Sequence, residues 1–165
     1  MKLFICGFMG SGKSYLYKQW KNSLKDTSLD FVEFDEVLVD ASSYQSIEQW
    51  VANVGWEEFR AAESQLLKDI LEKRLGGIYS LGGGTLTEQS LKLIRESEDA
   101  KLLWVDTDFP TCWSRIEKDL SRPLVQKGKD FCENLFKERE RLYEKADFHL
   151  SKLCEQELSD LFDSL

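Results

Sequence analysis

This chain of 165 residues has only one histidine and no closely spaced cysteines. The four cysteines stand far apart and form no CxxC pair; they are Cys6, Cys112, Cys132 and Cys154. Such spacing indicates reduced thiols in a cytosolic protein and makes metal binding by cysteine an unfavoured interpretation. The histidine, His149, falls in the last predicted strand, and we assign it no catalytic role.

Long hydrophobic runs, internal repeats and low-complexity segments are absent as well. No apolar run approaches the roughly 20 residues that a membrane-spanning helix needs. The N-terminus enters a predicted strand almost at once, which leaves no room for a signal or transit peptide. We therefore expect a cytoplasmic protein.

Positive charge is in short supply, with 22 Lys and Arg residues against 30 Asp and Glu residues and a net charge of −8. A general nucleic-acid or membrane surface needs a basic footprint, so neither kind of partner is expected. The length and the hydrophobic content of 42% suit one globular domain, residues 1–165, which we expect to be a monomer. A protein of this charge that binds small anions must concentrate its cations locally.

Strand and helix candidates alternate along the chain, which predicts a parallel sheet with helices on both faces. The strand candidates are residues 2–6, 31–34, 77–80, 102–105 and 148–150. The helix candidates are residues 13–24, 47–54, 56–73, 88–97, 110–119, 132–145 and 155–164. We predict a three-layer α/β/α domain with a five-stranded parallel sheet, in which ligands bind at the carboxyl ends of the strands.

The most informative motif directly follows the first predicted strand, where residues 7–14 read GFMGSGKS. This octapeptide satisfies G-x-x-x-x-G-K-[ST], the pattern of a phosphate-binding P-loop. Its backbone N–H groups and the following helix N-terminus favour bound phosphates. Lys13 would bind the β- and γ-phosphates, and the Ser14 hydroxyl would bind Mg²⁺. A chance match is disfavoured because the motif lies between a predicted strand and a predicted helix.

Acidic residues follow the second predicted strand. Glu33 and Asp35 alternate there, so we expect both side chains to share one face and to point toward the P-loop. One carboxylate beside Mg²⁺ and one beside a hydroxyl are what phosphoryl transfer to an alcohol requires. Alone, the pair is also compatible with a solvated strand end.

Two further motifs lie in the middle of the chain. Arg60 and Glu63 are three residues apart in a predicted helix, so Glu63 can hold the guanidinium of Arg60, as a surface ion pair also would. Three glycines, Gly82, Gly83 and Gly84, directly follow the third strand. Such a run is costly in conformational entropy and indicates that the backbone closely approaches a ligand.

Basic residues mark the last third of the chain. The segment 121–131 (SRPLVQKGKDF) contains Pro, Gly and three basic residues, a composition typical of a mobile lid over an active site. Arg115 precedes this segment, Arg122 lies in it and Arg139 follows it. For Arg139, a solvated charged helix face is the alternative.

The combination of these motifs resembles shikimate kinase, a family of P-loop small-molecule kinases, over nearly the whole chain. The matching motifs are GFMGSGKS, the acidic strand end, F-R-x-x-E, GGG, R-P-L and R-x-x-L-Y. The resemblance implies ATP-dependent phosphorylation of the 3-hydroxyl of shikimate in aromatic amino acid biosynthesis, with Mg²⁺ as the cofactor. It also implies a substrate-binding region at about residues 35–63 and a lid at about residues 121–131.

The resemblance implies roles for individual residues. The catalytic residues would be Lys13, Asp35 and Arg122. The nucleotide would be bound by Gly10, Ser11, Gly12, Lys13, Ser14, Tyr15, Arg115 and Arg122, and Mg²⁺ by Ser14 and Glu33. Shikimate would be bound by Asp35, Arg60, Gly82, Gly83, Gly84 and Arg139.

Two departures from the family pattern keep alternatives open. Glu33 stands where the family usually has Asp, and Tyr15 stands where a small hydroxyl residue is usual. The alternatives are a kinase for another small hydroxylated acid or for a nucleoside monophosphate, and a shikimate-kinase-like binding module that has lost catalysis. Two arginines suited to gripping a carboxylate, together with the glycine run, favour shikimate.

Overall fold

A computed structural model describes residues 1–24, 28–73, 76–152 and 155–165. Five parallel strands form one sheet in the order β2-β3-β1-β4-β5. The strands are β1 (Lys2–Cys6), β2 (Asp30–Glu33), β3 (Gly77–Ser80), β4 (Ala100–Trp104) and β5 (Phe148–His149). The predicted five-stranded parallel sheet is therefore confirmed.

Helices connect the strands, as the alternating sequence pattern predicts. They are α1 (Lys13–Ser23), α2 (Phe34–Ala41), α3 (Ile47–Glu72), α4 (Glu88–Glu96), α5 (Phe109–Ile116), α6 (Lys129–Tyr143) and α7 (Glu155–Asp163). Short 3₁₀ turns lie at Val125–Lys127 and Leu150–Lys152. Helix α6 begins three residues earlier than predicted, so the last residues of the segment 121–131 form its first turn.

Side chains of the central strand β1 alternate between two hydrophobic cores, as the period of a strand requires. Phe4 and Cys6 face the core that is covered by α3, α4, α5 and α6. Leu3 and Ile5 face the second core, which is covered by α1 and α7. All four are almost completely buried, so β1 holds the P-loop on a rigid support.

Helix α2 is the element that the sequence did not predict. The strand predicted at residues 31–34 ends at Glu33, and Phe34 begins a helix of eight residues. Phe34 is fully buried, and Leu38, one helical turn later, is buried as well. The helical spacing of these two apolar residues explains why the chain turns into a helix at this point.

Gly55 interrupts helix α3. Its φ of 87° and ψ of 170° are not helical, so α3 consists of two helical segments joined at a kink. The break between the helices predicted at 47–54 and 56–73 therefore lies where the sequence placed it. The kink gives the N-terminal segment of α3 its own direction on one side of the cleft described below.

The described cysteines form no disulfide, and the described helices include no membrane span. Cys6, Cys112 and Cys132 are free and buried, and Cys154 lies outside the described residues. Within the described parts of the chain, no helix is both long and apolar enough to cross a membrane.

Replacing Gly55 with alanine should lower the free energy of unfolding by about 1–3 kcal/mol, because this backbone conformation is essentially restricted to glycine. No atom lies within 4 Å of an added Cβ, so the loss would come from the backbone alone. Urea denaturation measures it, with Glu57→Ala as an exposed control expected to stay within about 0.5 kcal/mol. An unchanged or increased stability for Gly55→Ala would contradict the kink.

Candidate active site

A cleft of about 450 Å³ opens at the carboxyl ends of the parallel strands, where the P-loop follows β1 and the glycine run follows β3. Of the residues that the sequence singled out, most line this cleft: Gly10, Gly12, Lys13, Ser14, Tyr15, Glu33, Asp35, Arg60, Gly83, Gly84, Arg115, Arg122 and Arg139. Ser11 and Gly82 do not line it. Residues scattered over the chain are thus brought together at one site.

Lys13 lies folded back over the P-loop. Its Nζ donates hydrogen bonds to the carbonyl oxygens of Gly7 at 2.7 Å and of Phe8 at 3.3 Å. Burial lowers the pKa of the Lys13 ammonium, and the nearby Asp35 carboxylate opposes this effect. A bound phosphate would replace two neutral carbonyl partners with a charged one, which is the stronger hydrogen-bond acceptor for an ammonium.

Two side chains outside the motif hold the P-loop in place. Thr107 Oγ1, just after β4, donates to the carbonyl oxygen of Ser11 at 2.8 Å. Arg115 on α5 donates to the carbonyl oxygens of Gly10 at 2.9 Å and of Ser11 at 3.3 Å. These contacts use the carbonyl groups of the loop, so neither side chain occupies its N–H groups. The Ser11 N–H donates within the loop, to the carbonyl oxygen of Phe8 at 3.1 Å.

Ser14 and Glu33 place two oxygen ligands at the N-terminus of α1. The Ser14 hydroxyl donates to Glu33 Oε1 at 2.6 Å. A hydroxyl and a carboxylate beside a phosphate-binding loop fit Mg²⁺, which prefers oxygen ligands and uses few from the protein. The described residues contain no cluster of three or more His, Cys, Asp or Glu side chains placed to bind a metal.

Asp35 reaches the cleft for a reason that differs from the predicted one. It does not alternate with Glu33 along a strand, because β2 ends at Glu33 and Asp35 lies in the first turn of α2. Burial raises the pKa of the Asp35 carboxyl, and Glu33 adds to this effect while Lys13, Arg60 and Arg122 oppose it. A carboxylate with a raised pKa is better suited to accept a proton from a hydroxyl group.

The glycines after β3 leave space for charged side chains. An added Cβ at Gly82 would lie 2.5 Å from Asp35 Oδ1 and 2.8 Å from Thr85 Oγ1. An added Cβ at Gly84 would collide with the guanidinium of Arg60, whereas at Gly83 it would meet nothing closer than 3.9 Å. At Gly82 and Gly84, the absence of a side chain allows Asp35 and Arg60 to occupy the cleft.

Arg60 is held by an aromatic ring and by a buried carboxylate. Its guanidinium carbon lies 5.0 Å from the ring centroid of the half-exposed Trp56, which is cation–π distance. Its Nη1 donates to Glu63 Oε2, as the spacing of the two residues predicts. Glu63 is only 2% exposed, and its other oxygen accepts a hydrogen bond from Thr85.

Arg139 enters the cleft from α6, on the other side of the glycine run. Its Nη1 donates to the carbonyl oxygen of Gly83 at 2.7 Å, and Tyr143 donates to the same oxygen at 3.2 Å. Burial lowers the pKa of the Arg139 guanidinium, and the charge of Arg60 acts in the same direction. Two guanidinium groups that destabilise each other favour an anion between them.

Arg122 lines the cleft from the predicted lid and is 47% exposed. Its Nε donates to Asp119 Oδ2 at 2.8 Å. Asp119 also accepts a hydrogen bond from Ser121, so one carboxylate holds this turn together. Pro123 and Leu124 line the same side of the cleft.

The sequence did not reveal several residues that support or line the cleft. Ile47, Glu48 and Val51 line it from the first segment of α3, and Asp119 lines it beside Arg122. Thr85 and Thr107 hold Glu63 and the P-loop from positions after strands, and Asp119 holds Arg122. Position after a strand was the one available signal, and it applies to both threonines. Nothing local marks either residue as a hydrogen-bond donor to a distant partner.

Asp35→Asn should increase the free energy of unfolding at pH 7 by about 0.5–2 kcal/mol, the common size of the gain from a single stabilising substitution. The carboxyl has a raised pKa in the folded state, so its ionisation costs stability above the unfolded pKa. As pH falls below that value the carboxyl is neutral in both states, so the gain should vanish. Urea denaturation at pH 7 and at a pH below the pKa of the unfolded carboxyl measures the effect.

Glu36→Gln is the matched control, because Glu36 is an exposed carboxylate in the same helical turn. Its charge interacts favourably with the helix N-terminus, so its loss should leave stability unchanged or lower it by a few tenths of a kcal/mol. Equal effects of the two substitutions would show that burial does not destabilise the Asp35 carboxylate.

Comparison with known proteins identifies the family. The family model described as shikimate kinase matches residues 9–165. The shikimate kinase of Persephonella marina is 30% identical over 90% of this chain and 87% of its own length, and that of Aquifex aeolicus is 32% identical over 89% and 84%. The crystal structure of the Aquifex aeolicus enzyme superposes with a TM-score of 0.78 at 29% identity, covering 99% of this chain and 95% of that one. The chain therefore belongs to the shikimate kinase family.

Proposed function

We propose that this protein phosphorylates the 3-hydroxyl group of shikimate with ATP, giving shikimate 3-phosphate and ADP. Membership of the shikimate kinase family supports the activity. The observation that carries it in this chain is the presence of Arg60, Arg139 and Asp35 in one cleft with Lys13. The two arginines would bind a carboxylate, Asp35 would accept a hydrogen bond from a hydroxyl group, and Lys13 would bind a phosphate.

On the acceptor side, the guanidinium groups of Arg60 and Arg139 would bind the carboxylate of shikimate. A guanidinium presents paired N–H donors that match a planar carboxylate, so two of them fix both position and orientation. Asp35 would accept a hydrogen bond from the reacting hydroxyl and orient its oxygen toward the phosphate. Gly82, Gly83 and Gly84 would form the wall of this subsite.

On the donor side, the P-loop and the N-terminus of α1 would bind the phosphates of ATP. The loop residues proposed to contact them are Gly10, Ser11, Gly12, Lys13, Ser14 and Tyr15. Lys13 would exchange its contacts with the carbonyl groups of Gly7 and Phe8 for phosphate oxygens. Arg115, which is bonded to the loop, would flank the nucleotide.

Mg²⁺ would be held by Ser14 directly and by Glu33 directly or through water. When bound, the ion neutralises charge on the phosphates and supplies electrostatic stabilisation of the transferring group. Glu33 has one methylene more than the aspartate usual in the family. Its contact with Ser14 shows that the longer side chain still reaches the hydroxyl.

A substrate-binding region and a lid would complete the site. We propose a single domain, residues 1–165, with the acceptor bound by the region 35–63 and covered by a lid at about 121–131. Arg122 on this lid would reach the transferring phosphoryl group once its contact with Asp119 is exchanged. Lid closure would exclude water and so limit ATP hydrolysis. A monomer in the cytoplasm remains a prediction.

The test is ADP release from Mg²⁺–ATP with shikimate, gluconate or a nucleoside monophosphate as acceptor. Of the three acceptors, we expect only shikimate to support ADP release. Removing Mg²⁺ with EDTA should abolish this release. Arg139→Ala should raise the KM for shikimate at least about 30-fold, since removing one partner of a buried charge pair costs 2 kcal/mol or more.

Arg141→Ala is the matched control, because Arg141 is an exposed arginine two residues away on α6. Its KM should stay within about twofold of that of the unmodified protein. Turnover with a different acceptor would reassign the substrate, and ligand binding without turnover would indicate a binding module.

A further inference from the structure

Thr85 lies directly behind the glycine run and is almost completely buried, at 4% exposure. Its Oγ1 donates a hydrogen bond to Glu63 Oε1. Thr85 does not line the cleft, so any influence on a ligand must pass through another residue.

The backbone around Thr85 is fixed at both ends. Its N–H donates to the carbonyl oxygen of Gly82 at 3.2 Å and closes the turn after β3. Its carbonyl oxygen accepts a hydrogen bond of 2.8 Å from the hydroxyl of Ser90 on α4, and that serine also takes part in the N-terminal capping box of the helix. The hydroxyl of Thr85 is therefore presented to Glu63 by a rigid support.

Glu63 is a buried carboxylate with two protein partners, one for each oxygen. Arg60 donates to Oε2 and Thr85 donates to Oε1. Burying a carboxylate is costly unless hydrogen bonds compensate it. Loss of the Thr85 hydroxyl would leave one buried oxygen without the only partner recorded for it among the described residues.

We infer that Thr85 is a positioning residue for the acceptor subsite, which keeps Glu63 charged and oriented so that Glu63 holds Arg60 against the substrate carboxylate. This inference rests on the proposed function, because it assigns Arg60 to that carboxylate. Thr85 touches no reacting group, so it acts on binding of the acceptor rather than on phosphoryl transfer.

The charged groups around Glu63 determine the pH at which its carboxylate takes up a proton. Arg60 faces it from α3, Asp35 from α2 and Arg139 from α6. Burial raises the pKa of the Glu63 carboxyl, and Arg60 and the Thr85 hydroxyl oppose this effect while Asp35 adds to it. Removing the hydroxyl raises the pKa further, so Glu63 takes up a proton at a higher pH and releases Arg60 there.

The test compares Thr85→Ala with Thr85→Ser in the ADP-release assay. Alanine removes the hydroxyl and the methyl group, whereas serine removes the methyl group alone. We expect Thr85→Ala to raise the KM for shikimate about tenfold with kcat within about twofold, which is the effect of losing a hydrogen bond to a charged group. Thr85→Ser should stay within about twofold in both constants.

The pH dependence provides the readout that a packing role would not change. As pH is lowered, the KM for shikimate should begin to rise at a higher pH in Thr85→Ala than in the unmodified protein. Thr85→Ser should follow the unmodified protein. Protonation of Asp35 is common to all three proteins, so the difference between their profiles reports on Glu63.

Thr111→Val controls for loss of a threonine hydroxyl elsewhere, since Thr111 lies in α5 and does not line the cleft. Its kinetic constants should be unchanged. The inference is overturned if Thr85→Ser resembles Thr85→Ala, or if Thr85→Ala leaves KM and its pH profile unchanged. A failure of the unmodified protein to use shikimate would instead overturn the proposed function.

Discussion

Space at the end of strand β3 is the constraint on which the cleft depends. Gly82 and Gly84 lie where any side chain would collide with Asp35 or Arg60, so these charged groups share the cleft because the strand ends in glycines. The sequence indicated a close approach of backbone to a ligand. The structure adds that the nearest neighbours are the protein's own charged side chains, which would themselves contact the ligand.

Charge balance in the cleft follows from this crowding. Burial raises the pKa of the Asp35 and Glu63 carboxyl groups and lowers the pKa of Lys13 and Arg139, so desolvation disfavours the charged form of each of these four groups. Charges of opposite sign oppose this effect at Lys13, Asp35 and Glu63. Such mutual support makes a site sensitive to the loss of any one partner. A bound substrate carboxylate and the phosphates of ATP would neutralise the positive charge of Lys13 and of the arginines in the cleft. An acidic protein can therefore bind anions at this one site.

Short contiguous motifs were the predictable part of this molecule. The P-loop could be placed from sequence because its chemistry is contained in residues 7–14, and Gly55 marked a break in a helix because glycine alone adopts that conformation easily. The helix at Phe34–Ala41 was not predicted, because the apolar residues before it continue the pattern of a strand. Its N-cap residue, Glu33, makes no side-chain capping bond, so no capping motif marks its start. The role of Thr85 depends on a partner 22 positions away, which no local pattern reveals.

The most direct test of this account is the shikimate affinity of Gly84→Ala compared with that of Gly83→Ala, measured by calorimetry on the nucleotide-free protein. Neither glycine has a positive φ, so alanine tests space rather than backbone conformation. The account predicts that Gly84→Ala, which displaces Arg60, weakens binding by tenfold or more, about 1.4 kcal/mol. Gly83→Ala should stay within a few-fold of the unmodified protein. Equal losses in both variants would contradict the account, because they would show that the glycines serve a close approach of the ligand itself rather than room for Arg60.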